Sequence, residues 1–228
     1  MVPINAPQKT SLDTRLLDAL SAESSSTRLQ AALAAGTHPD PRFVETLLAR
    51  CAIEPDFYVR DMLTWALTRH PAEITVPALV AEVRSEQDQA RSQALHTLSK
   101  IGDGTAWPAI TRSLLHDAND EVARSAWRAA VVLAPAGEQK GLAVELAAQL
   151  GRGDRNVRLS LSRALVALGD VIEPALRPGL VSGDPAVRAH ARATERLLRD
   201  PDAAFDADID EAKRVAALGP ERAAEASC

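Results

Sequence analysis

The sequence predicts an all-α chain, a right-handed α-solenoid of about six antiparallel helix pairs. Two observations carry this. One apolar helical stripe returns every 30–35 residues, and a second helix fits before each copy. The composition agrees: 46% of residues are hydrophobic but only 3% aromatic. A core of Ala, Leu and Val suits closely packed helices better than sheets.

The repeat is anchored on a small apolar residue near the start of each second helix. The anchors are Val59, Ala90, Val122, Val157 and Val187, at gaps of 31, 32, 35 and 30 residues. A weaker copy opens at Thr27. Further apolar residues follow four, eight and eleven places on, as in Val157, Leu161, Leu165 and Leu168. At about 100° per residue these places share one face of a helix. The last copy puts Glu195 on that face, as a terminal capping repeat does. First helices are expected at 11–21, 41–52, 73–85, 105–116, 137–150 and 171–182. Pro77, Pro108 and Pro174 lie near the starts of three of them, where a missing N–H is harmless. Asp56, Asp88, Asp120, Asp154 and Asp184 precede the second helices and are candidate caps. Gly102 and Gly169 stand where left-handed C-caps are expected.

These features resemble the HEAT repeat family, in its short form of about 30 residues, a form also found in phycobilisome lyase subunits. The resemblance covers 11–199. It rests on the "PAL" helix starts, the Asp before each second helix, and Arg60, Arg91, Arg158 and Arg188 just inside. It implies a structural ladder of Asp56, Arg60, Asp88, Arg91, Asp154, Arg158, Asp184 and Arg188 between neighbouring repeats. Two repeats depart from the pattern. Ala123 takes the Arg place in the fourth, and the Asp88–Arg91 spacing is one residue short.

The expected organisation is an N-terminal extension (1–10), a HEAT-like repeat domain (11–199) and an acidic C-terminal tail (200–228) with a short helix at 208–218. "DPDAAFDADIDE" holds six acids and no base, so against a total of −5 the rest of the chain is close to neutral. That balance disfavours a dedicated duplex-DNA binder. The tail would either solvate the protein or fold back over the groove. Asp206, Asp208 and Asp210 alternate like a calcium loop, but Glu211 and Ala217 occupy its Gly and Glu places.

No signal-peptide core and no run of 18 apolar residues appears, which points to a soluble cytoplasmic protein. Cys51 reads as a buried thiol and Cys228 as a stray terminal one. The five histidines lack ligand spacing, so no metal site is expected. His96 and His190 are expected at a surface or interface. There is no P-loop and no nucleophile elbow. No cofactor and no catalytic residue is expected.

On the concave face, places two, five, six and nine should point away from the core. They offer Trp65, His96, Arg124, Trp127, Arg128, Arg163 and Arg192 as partner-binding residues. Exposed Trp and Arg are typical binding anchors. The first reading is a non-enzymatic protein-interaction module or scaffold holding a partner such as an acidic peptide. The second is a nucleic-acid protein, since alkylpurine DNA glycosylases also use HEAT-like pairs, and Asp61 with Trp65 and Trp127 is faintly similar. The third is a chromophore lyase-like subunit, on the shared short repeat.

Overall fold

The structure is a computed structural model. It describes residues 7–200, with side chains from residue 14 on. The first six residues, the expected tail helix and Cys228 lie outside the described residues. The chain divides into two compact units, 1–142 and 143–228. Among the described residues every regular element is helical.

The first unit holds α1 (Pro7–Leu20), α2 (Ser25–Thr37), α3 (Val44–Ile53), α4 (Phe57–Arg69), α5 (Ala72–Glu82), α6 (Asp88–Ile101), α7 (Arg112–Leu115) and α8 (Asp120–Leu133). Helix α9 (Gln139–Ala147) crosses the boundary. The second unit continues with α10 (Arg155–Ala167), α11 (Glu173–Leu180) and α12 (Pro185–Arg199). Short loops join most first helices to their second helices, as in helical hairpins.

Local chemistry sets most helix starts. Ser24, Asp56, Asn119, Asp154 and Asp184 accept hydrogen bonds from N–H groups of the turns that follow. Asp88 and Asp120 are not caps. They are the first helical residues, and Gln87 and Asn119 hold the cap places. Gly102 adopts φ 72° at the end of α6, the left-handed stop that its position predicts.

The expected helix 105–116 does not form in one piece. Pro108 has no N–H to give a carbonyl one turn back, and its ring crowds that turn. The chain instead makes a 3-10 turn over Gly104–Ala109 and leaves the helical region at Ile110 (ψ 87°). It restarts under Thr111, whose hydroxyl accepts from the Leu114 N–H. Pro77 also departs from expectation. It lies inside α5 rather than in its first turn.

The second helices bury more than the predicted stripe. Places five and seven turn inward with the others: Thr64 and Ala66, Leu95 and Thr97, Trp127 and Ala129, Ser162 and Ala164. The reason is double packing. Helix α6 touches its own first helix and also α4 and α8, and α2 packs on α4. Small residues at place seven let these axes approach. Gly36 of α2 shows how close. A Cβ there would lie 2.3 Å from Trp65 Cζ3 and 2.9 Å from the Ala66 Cα.

The Asp–Arg ladder takes a different form from the one the resemblance implies. Asp56, Asp154 and Asp184 are used as caps, so among the described residues no ion pair joins them to Arg60, Arg158 and Arg188. The arginines instead bond backward to loop carbonyls five or six residues earlier. Arg60 donates to Glu54 O (2.9 Å) and Pro55 O (2.8 Å). Arg91 donates to Ser85 O and Glu86 O, Arg158 to Gly153 O, and Arg188 to Ser182 O. Arg28 does the same to Ala22 O and Glu23 O. Each clamp closes the loop between a first and a second helix.

Cross-repeat braces do exist, at other residues. Arg91 reaches Asp117 at 3.1 Å while holding Asp88 at 2.6 Å, and Asn119 donates to Asp88. Arg28 grips Glu54 through two 2.7 Å bonds. Ala123, at the Arg place of α8, makes no clamp, and Arg124 pairs with Glu121 instead.

Candidate protein-binding face

Place six is the row that stays outside. In the first unit it carries Trp65 on α4, His96 on α6 and Arg128 on α8, three helices packed in sequence. Trp65 is 38% exposed. The edge of its ring lies against Gly36, which leaves part of the indole to solvent.

His96 and Arg128 meet directly, with Arg128 Nη1 2.9 Å from His96 Nδ1. The guanidinium can only donate, so Nδ1 accepts and the imidazole is neutral. Burial and the charges of Arg128 and Lys100 lower the His96 pKa to about 4, against an opposing pull from Asp61. Burial and the neighbouring charge of Arg124 also push the Arg128 value down. Among the described residues Arg128 has no carboxylate partner. Its hydrogen-bond acceptor is the uncharged His96 ring.

The other expected contact residues divide. Arg124 is half-buried and bonded to Glu121 at 2.6 Å. Trp127 is fully buried, and its indole N–H donates to Leu115 O at 2.8 Å. It cannot be an exposed anchor. Place five lies inside because α8 is covered on two sides. The pairing of Trp65 with Trp127, on which the glycosylase-like reading leaned, therefore does not form an open pocket.

In the second unit Arg163 on α10 and Arg192 on α12 are exposed. The buried side of α12 is Ala191, Thr194 and Leu197 with His190, so its face is turned by about one residue from the predicted stripe. His190, expected at a surface or interface, is 4% exposed and lies in the seam between α12 and α10. Gly151 N–H donates to its Nδ1 (3.0 Å), while Nε2 donates to Arg158 O (2.9 Å). Ser162 and Thr194 complete the cluster at 2.8 Å from each other. Burial lowers the His190 pKa, with the Arg158 carbonyl opposing.

One buried group of the first unit was absent from the sequence reading altogether. Glu54 is fully buried and accepts from Arg28, from Arg50 (2.7 Å) and from the Asp56 N–H (3.0 Å). Burial pushes its carboxyl up, but these bonds outweigh it and hold the pKa down to about 2. The available signal was the position of Arg28, one place after the Thr27 anchor, where the other clamping arginines stand. Cys51 is buried as expected, and burial drives its thiol up to about 12.

Among the described residues no group of His, Cys, Asp and Glu could hold a metal ion. No described helix is long and apolar enough to cross a membrane.

The geometry is that of a helical-repeat protein built from stacked α-hairpins. In the comparison with known proteins, residues 45–131 match the family model for HEAT repeats. No curated protein matches the chain. Among solved structures, an engineered protein from the Northeast Structural Genomics Consortium is similar at 22% identity and a TM-score of 0.46, covering 81% of this chain and 95% of that one. The complex of CpcE and CpcF of phycocyanin lyase from Nostoc sp. PCC7120 is similar at 20% identity and a TM-score of 0.47, covering 87% and 80%.

Proposed function

We propose that the chain is a non-enzymatic interaction module that binds an acidic peptide across α4, α6 and α8. The observation that carries this reading is Arg128. Its guanidinium is partly desolvated, has no carboxylate among the described residues, and is held by a neutral histidine. A carboxylate arriving there meets a cation already in position, so little side-chain ordering remains to oppose binding.

Trp65 supplies the apolar half. Neighbouring helices sit about 8–10 Å apart, so two steps separate Trp65 from Arg128 by about 16–20 Å. An extended peptide covers that in about five or six residues. The partner segment therefore carries an apolar side chain for Trp65 and an Asp or Glu five or six residues away for Arg128. Match of the 45–131 span to HEAT repeats supports a scaffold role, and the acidic-peptide assignment rests on the residues just named.

The test uses fluorescent peptides with one Leu and one Glu at spacings from two to eight. Affinity should peak at five or six and fall with salt. Arg128→Gln should weaken the best peptide about tenfold, since charge-assisted bonds are the strong ones. Helical circular dichroism serves as the folding control. Equal affinity for wild type, Arg128→Gln and Trp65→Ala would refute the assignment.

A further inference from the structure

The break in the fourth first helix has a product. Between the end of α5 and the chain around α7 lies a cavity of about 360 Å³. Its floor is apolar, from Val83, Ala109 and Leu114, all buried. Had 105–116 been one straight helix, Pro108 and Thr111 would have continued its surface. The bend at Ile110 instead leaves both on the cavity wall.

The rim is polar, and its lining sets two cations, Arg84 and Arg91, against one carboxylate, Asp117. Arg91 is engaged by Asp88 and Asp117. Asp117 also accepts from the Asn119 N–H. Arg84 is exposed, and its guanidinium makes no hydrogen bond or ion pair among the described residues. The same lining carries two hydroxyls, Thr111 and Ser113, whose oxygens are 2.7 Å apart. One of their two protons is spent between them. The other has no acceptor among the described residues and is left to donate outward.

We infer that this cavity is a second binding site, separate from the α4–α6–α8 face, for a small organic carboxylate. One unpaired guanidinium matches a monoanion. The remaining hydroxyl proton gives the carboxylate a second donor, and the buried floor takes a short apolar body of a few carbons. A cation of the same shape is repelled by Arg84, which no carboxylate pairs among the described residues.

The probes are sodium hexanoate and hexylammonium chloride, followed by backbone amide signals of the full chain. Hexanoate should shift Arg84, Thr111 and Ser113 saturably with Kd on the order of 1 mM, as expected of a ligand this small. Hexylammonium should leave them in place. Arg84→Gln, a surface change that leaves the fold intact, should weaken hexanoate about tenfold. Ala109→Leu should abolish binding by filling the floor, and Arg128→Gln should change nothing. Non-saturating shifts, equal response to hexylammonium, or undiminished binding by Arg84→Gln would overturn the site. The Arg128→Gln control separates its failure from failure of the peptide face.

Discussion

The first unit holds a buried ionic cluster around Glu54, and the second a buried neutral cluster around His190. Glu54 is gripped by Arg28, Arg50 and the Asp56 N–H, and so ties α2, α3 and the start of α4 together. His190 links Gly151, Arg158 and Ser162 to α12 without a net charge. Both clusters join separate helices and loops. They differ in what happens when a member is lost. A charge stripped of its partner inside a protein is left uncompensated, whereas a neutral group loses one hydrogen bond.

That difference can be measured. Glu54→Ala leaves Arg28 buried without its counterion and should destabilise by about 3–5 kcal/mol in urea denaturation. The Arg28→Leu, Glu54→Leu double substitution should recover much of this. If the single and double variants are equally unstable, the cluster acts by packing rather than by charge.

His190→Leu removes the acceptor of the Gly151 N–H and should cost about 1–3 kcal/mol in the same assay. Ser162→Ala is milder, about 1 kcal/mol, because Thr194 keeps its bond to the His190 carbonyl. A Ser162→Ala loss as large as that of Glu54→Ala would erase the distinction between the two clusters.

Acid sharpens the contrast further. The folded chain holds His190 and His96 below the usual histidine range, His96 at about 4. Between that range and pH 4 the unfolded chain binds more protons, so stability falls as pH falls through it. Glu54 behaves differently. Its pKa is depressed from 4.5 to about 2, so its contribution persists at pH 5 and is lost only as pH falls from 4.5 toward 2. Wild type should therefore lose stability in two steps, and His190→Leu should flatten the upper one. On the proposed peptide face, affinity should not rise between pH 7 and 5, because His96 stays neutral there. A rise in that window would show an ordinary histidine in place of the held one.

Much of the fold was legible from short-range pattern. Helices α4, α6, α8 and α10 begin within a residue or two of the capping residues because caps and the apolar stripe are local properties. What failed depends on neighbours. Trp127 read as exposed because place five lies off the stripe, and the packing of α8 against both α6 and α7 turns it inward. The burial of His190, expected at a surface or interface, was not legible because its donor and acceptor partners, Gly151 and Arg158, are 39 and 32 residues away. The candidate face was half legible. Trp65, His96 and Arg128 sit at one repeated place, which periodicity finds, but the neutral state of His96 follows from a contact across two helices. Pro108 could have been read as a breaker instead of a first-turn residue. Its distance from the true start decided that, and boundaries are the weakest part of a periodic reading.

The backward-reaching arginines carry an implication for how such a chain can change length. Arg28, Arg60, Arg91, Arg158 and Arg188 each span a fixed five or six residues to a carbonyl of the loop before them. One inserted residue inside that span would move the carbonyl out of reach, so these loops behave as rulers. The five clamps all lie on loops from a first to a second helix, not on the connections from a second helix to the next first helix. Insertions and deletions that leave the protein intact should accumulate there, and a designer lengthening this scaffold should cut at those joints.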